Sequence, residues 1–160
     1  MTCVRPSAWP LERPAGVSDS AMALLAASEV VDLHLDSFIV HRMVGRDLNR
    51  RHSIGPLGGR GFGHLDFPTA VASGLTGGMW SITTNPFRTA ASRWRVFQDN
   101  LRDFQAEIAA SEGKIRVVRT YAEWLEARAA GAHACLPAIQ GGNALQAAPD
   151  GVLSIPDQLI

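Results

Sequence analysis

The run Asp32-Leu33-His34-Leu35-Asp36 sets an imidazole and two carboxylates at alternate positions. On an extended backbone His34 and Asp36 point to one face. The residues leading into them, Glu29-Val30-Val31-Asp32-Leu33-His34, are β-branched and end in polar groups, which predicts a buried parallel strand over 29–34. The imidazole and carboxylate then stand at the strand's C-terminal end. Nitrogen and oxygen donors placed there suit Zn²⁺ or a similar divalent cation, and α/β barrels carry their reactive groups at that end. Taken alone, the H-x-D pattern is weak and favours a chance or structural pair over a metal site.

A second candidate, Gln140-Gly141-Gly142-Asn143, follows the apolar run Ala134 to Ile139. Its glycines permit a tight turn or a close approach to a ligand, and a plain turn is the alternative. His41, Arg42, Arg46, Arg50, Arg51 and His52 form a basic cluster within 37–63. That stretch reads as a lid-like loop, solvated first and anion-binding second.

The elements that must position these groups alternate in type. Residues 1–18 read as a loose Pro-containing arm, and Ser18 or Ser20 caps a short helix through Ala27. Asp66 caps a further helix with Pro68 in its first turn, and Gly74 ends it. Thr76 to Thr84 reads as a strand in which Gly77 and Gly78 allow close approach. Over 88–112 a long helix carries Trp94, Phe97, Leu101, Phe104 and Ile108 as one apolar stripe, which is packing. Ile115 to Val118 is a strand, Thr120 and Glu123 form a capping box, and Ala134 to Ile139 is the fourth strand. Asp150 to Ile160 begins a further element. Strand and helix alternation implies a parallel sheet.

Composition narrows the function classes. With 46% hydrophobic residues, 19% charged residues and a formal net charge of zero, the chain is globular and shows no bias toward nucleic acid. No segment reads as a secretory signal or membrane span, which predicts a cytoplasmic protein. Cys3 in the arm and Cys135 in a buried strand give no disulfide framework.

Taken as an ordered series, these motifs resemble the membrane (renal) dipeptidase family of zinc peptidases. The series is Asp32-x-His34-x-Asp36 after a short strand, then HLDFPTAVASGLTGGMWSI from His64, a long amphipathic helix, and a strand ending in Ile139-Gln140-Gly141-Gly142-Asn143. The likeness runs from about Val30 to Leu145 and matches the first half of a family member. It implies a (β/α)₈ barrel holding two zinc ions that activate water to cleave a dipeptide. By the same resemblance His34 and Asp36 are metal ligands and Asp32 supports them from outside the ligand set. Gln140 stands where the family has a glutamate bridging both metals, and a neutral amide binds a divalent cation less strongly. Asp66, Pro68, Trp80 and Ser81 match structural motif positions, and His64 carries no ligand role. The family's other histidine ligands, and its substrate-binding arginine and acid, come from later strands.

The fold expected is a partial (β/α)₈ TIM-type barrel of about four strands, residues 29–160, preceded by an arm and short helix, residues 1–28. The function expected is zinc-dependent dipeptide hydrolysis, present as a truncated and inactive N-terminal portion without a complete catalytic set, holding one zinc or none. The alternative is a non-catalytic binding or assembly module, as a homo-oligomer or with a missing C-terminal half.

Overall fold

The computed structural model of the chain describes residues 9–52 and 65–149. Cys3, His64, the glycine-rich segment 55–63 and the tail 150–160 lie outside the described residues.

Five helices are present among these residues: α1 (Asp19–Ala27), α2 (Ser37–Val44), α3 (Phe67–Ala72), α4 (Ala90–Ala110) and α5 (Tyr121–Ala129). Three begin at caps the sequence predicts, and α4 begins at Ala90 behind Thr89, a cap not expected from the sequence. The side chains of Ser18, Asp66, Thr89 and Thr120 each accept a backbone N–H three residues on, and Thr120 with Glu123 closes a capping box. The exception is α2, which lies where a loop was expected. Its sequence, SFIVHRMV, contains β-branched residues and makes no side-chain cap. Tertiary packing holds it: Phe38 is buried edge-on against Phe104 and stacks on His41 at 5.0 Å. Gly45 in the left-handed region then ends the helix.

Four strands, β1 (Val31–Leu35), β2 (Gly77–Thr83), β3 (Ile115–Val117) and β4 (His133–Gln140), form one parallel sheet in the order β1-β2-β4-β3. The wall of a barrel built strand after strand would run in sequence order. Here β3 lies outboard of β4 and pairs only with His133 to Cys135. Pro137 accounts for that short ladder. The Cys135 carbonyl accepts from Val118 N–H on the β3 side, and two residues on Pro137 presents a ring nitrogen with no hydrogen to the same edge.

The sheet has two unequal faces. On one, Leu35, Trp80, Ile82 and Cys135 pack with Phe38 of α2, Phe67 and Ala70 of α3, and Trp94, Phe97, Leu101 and Phe104 of α4. On the other, Trp124 and Ala127 of α5 pack with Val118, Ala132, Ala134 and Leu136. An ion pair between Arg128 and Glu29, 2.9 Å, ties α5 to the start of β1. Residues 9–18, expected to be loose, are bound down: Trp9 packs against the larger core and Glu12 N–H donates to the Ala72 carbonyl at 2.7 Å.

Candidate functional site

Leu35 points into the larger core, so its neighbours His34 and Asp36 turn to the opposite face. Ile139 packs against the same core, which turns Gln140 to that opposite face as well. All three stand at strand C-terminal ends.

Period-two alternation does not fully account for the aim of His34. Asp32 pairs with Gly78 but Leu35 pairs with Trp80, so three steps on β1 face two on β2. This bulge at Leu33 and His34 bends the strand just before its polar end. Asp32 fixes it, since its Oδ1 accepts the His34 backbone N–H at 2.8 Å. His34 Nε2 then lies 3.1 Å from Asp36 Oδ2, with the two side chains 58% and 29% exposed.

Asp36 occupies the N-cap position of α2 but makes no cap bond. Its second oxygen, Oδ1, is buried without a hydrogen-bond partner. A buried carboxylate oxygen left unsatisfied is costly, and a cation offsets that cost directly. The pair therefore fits a divalent metal in donor type and in unsatisfied valence. It falls short in number. Among the described residues no group of three or more His, Cys, Asp or Glu side chains is gathered to hold a metal ion.

Gln140 pairs with Thr83, which leaves β2 between it and β1. Leu35 is level with Trp80 and Pro137, so Gln140 lies two strands across and three residues further along, which sets its backbone more than about 10 Å from that of the His34–Asp36 pair. Structure thus brings His34 and Asp36 together, places Asp32 under them, and keeps Gln140 on the same rim without contact. A separate cavity of about 430 Å³, lined by residues including Trp9, Asn49, Arg50 and Pro68, takes in none of the four.

Sequence reasoning missed how the rim is braced. Arg93 Nε donates to the Asn143 carbonyl at 3.0 Å and Nη2 to Gln146 Oε1 at 2.5 Å, while Nη1 reaches the carbonyls of Pro86, at 3.3 Å, and Arg88. One guanidinium thereby links the turn after β2 to the 3-10 turn Gly142–Leu145 after β4. The available signal was an arginine in the first turn of α4, off its aromatic stripe. His133 was missed as well. It is buried at the opposite end of β4, where its Nε2 accepts from Trp80 Nε1–H at 3.0 Å.

The family model for membrane dipeptidase, peptidase family M19, matches residues 18–157. Among solved structures the chain is similar to the crystal structure of "the dipeptidase AC, Metallo peptidase", of family M19, with 25% identity and a TM-score of 0.63. The match covers 82% of this chain and 40% of that one, so the chain spans well under half the length of that dipeptidase. The four-stranded parallel sheet corresponds to part of that barrel-like fold. A comparison with curated protein sequences found no match.

Proposed function

The chain belongs to the membrane dipeptidase family, peptidase family M19, and from that membership we propose that it supplies the first-strand part of a metal centre for dipeptide hydrolysis. The observation that carries this reading is the His34–Asp36 contact of 3.1 Å beside a buried, unpartnered Asp36 Oδ1. In it His34 donates a ring nitrogen, Asp36 a carboxylate oxygen, and Asp32 holds the His34 backbone in place. Gln140 is the weak third donor. A zinc ion bound there supplies Lewis acidity toward an amide carbonyl and lowers the pKa of a water molecule. Catalytic zinc sites have three protein ligands plus water, so a working centre draws further donors from outside this sheet.

Equilibrium dialysis of the purified chain against zinc tests the assignment. Zinc affinity should fall about tenfold or more in His34→Ala and in Asp36→Asn, and by less in Asp32→Ala. Affinity indifferent to both ligand substitutions would overturn it.

Gln140 favours a second reading, a family scaffold kept for binding without catalysis. Gln140→Glu separates the two, because a carboxylate restores the charge that offsets closely spaced dications. If Gln140 is a donor, the variant binds zinc more tightly than the parent chain. Tighter zinc binding with no hydrolysis of dipeptides by the variant chain assembled with its remaining donors favours the binding scaffold.

A further inference from the structure

Arg42, on the helix that Asp36 opens, reaches over the end of β2 and donates through Nη1 to the Thr83 carbonyl at 2.7 Å. Asn100 Nδ2 donates to the same oxygen at 3.0 Å, which fixes the anchor. This uses one of the five N–H donors of the guanidinium. Arg88 sits in the turn that leaves β2. That turn is held from both sides: Phe87 N–H donates to Asn85 Oδ1 at 2.9 Å, Arg88 N–H to the Asn85 carbonyl at 3.2 Å, and Arg93 grips the Pro86 and Arg88 carbonyls. Both guanidiniums are thus carried on fixed backbone at the rim.

No carboxylate among the described residues forms an ion pair with Arg42 or Arg88. Burial, and then the charge of Arg88, hold the Arg42 guanidinium below its ordinary pKa. Next to the anchor, Thr84 buries a hydroxyl without a partner. Arg42 anchored on Thr83, and Arg88 five residues on in the turn that leaves the same strand, bring two like charges to one end of β2, an arrangement that an anion joining them would stabilise. The planar forks of arginine match a carboxylate in two-point hydrogen bonding.

We propose that Arg42 and Arg88 form a carboxylate subsite at the sheet rim that receives the acidic side chain of a dipeptide substrate. The proposal rests on the dipeptidase reading for the identity of the ligand, and adds to it a preference among dipeptides. The site lies at the C-terminal end of a parallel sheet, where α/β enzymes bind their substrates, and on the helix that begins at the candidate metal ligand.

The test is a calorimetric or NMR titration of the purified chain with Gly-Asp and with Gly-Asn, in the presence of a chelator. Gly-Asp should bind about tenfold more tightly than Gly-Asn, the ratio a charge-assisted pair of hydrogen bonds supplies. Arg88→Gln, an exposed turn substitution that leaves the circular dichroism spectrum unchanged, should bring the ratio to about one. Equal affinities for the two peptides, or a ratio that survives Arg88→Gln, would overturn the subsite. Because the titration excludes metal, failure of the zinc reading shows separately, as zinc affinity that ignores His34 and Asp36.

Discussion

Asp36 and Asp66 both stand at helix N-caps, and they differ in how much of each carboxylate the fold uses. Asp66 is fully buried and uses both oxygens: Oδ1 accepts from Thr69 N–H and Oδ2 from His52 N–H, each at 2.8 Å. Asp36 caps nothing and leaves Oδ1 buried and unpartnered. Asp66→Ala should therefore cost about 2–3 kcal/mol of stability, because a cap bond and a second buried N–H are lost together. Asp36→Asn should change stability by about 0.5 kcal/mol or less, since the folded chain loses no cap by it. Urea unfolding of the two variants checks this, and equal losses would mean that Asp36 is a structural residue. The candidate pair was legible in the sequence because an alternate-residue spacing at a strand end is a local property. The bulge that aims His34 was not legible, because it exists only relative to the partner strand.

At the scale of elements, the caps and the aromatic stripe of α4 were readable because each depends on neighbours within one helical turn. What the sequence concealed depends on partners far along the chain. Helix α2 exists because Phe38 finds Phe104, and β3 lies outside β4 because its ladder meets Pro137. The two glycines of β2 mark sites of close approach in the sequence, and the structure identifies what approaches. A Cβ on Gly77 would lie 2.2 Å from the Trp124 ring and 2.8 Å from the Ala134 carbonyl oxygen. On Gly78 it would meet the Leu35 Cδ1 methyl at 2.5 Å and the Asp32 carbonyl at 3.2 Å. A leucine methyl can rotate away, whereas the Ala134 backbone sits in the sheet. Gly77→Ala should accordingly cost about 3 kcal/mol and Gly78→Ala nearer 1 kcal/mol, as differences in chemical denaturation midpoint at unchanged slope. The reverse order would show that α5 does not cover this face in solution.

For the molecule as a whole, the two ends of the sheet divide the work. The C-terminal end presents polar, partly exposed groups, while the N-terminal end is sealed around His133. That imidazole donates through Nδ1 to the Leu75 carbonyl and accepts the Trp80 indole N–H at Nε2, which selects the neutral Nδ1–H form. Burial depresses its pKa from 6.5 to about 4, the Arg128 charge adds to the depression, and the Leu75 carbonyl opposes it. Protonation would set two N–H groups against each other in the core. The sign of the effect on stability follows from the two pKa values. Above about pH 6.5 both folded and unfolded chains hold the neutral ring and the full contribution is present. As the pH falls toward 4, the unfolded chain binds a proton that the folded chain refuses, and stability is lost. Below about 4 both states are protonated and this group causes no further loss. Between pH 7 and pH 5 the expected loss from His133 is about 2 kcal/mol. Denaturant unfolding followed by tryptophan fluorescence at the two pH values measures it. His133→Gln isolates the contribution, because every other ionisable group remains in the variant. The variant should be less stable than the parent at pH 7 and should lose about 2 kcal/mol less on acidification. Parallel losses in the two proteins would mean that His133 is open to solvent protons, and that the N-terminal end of the sheet is not sealed.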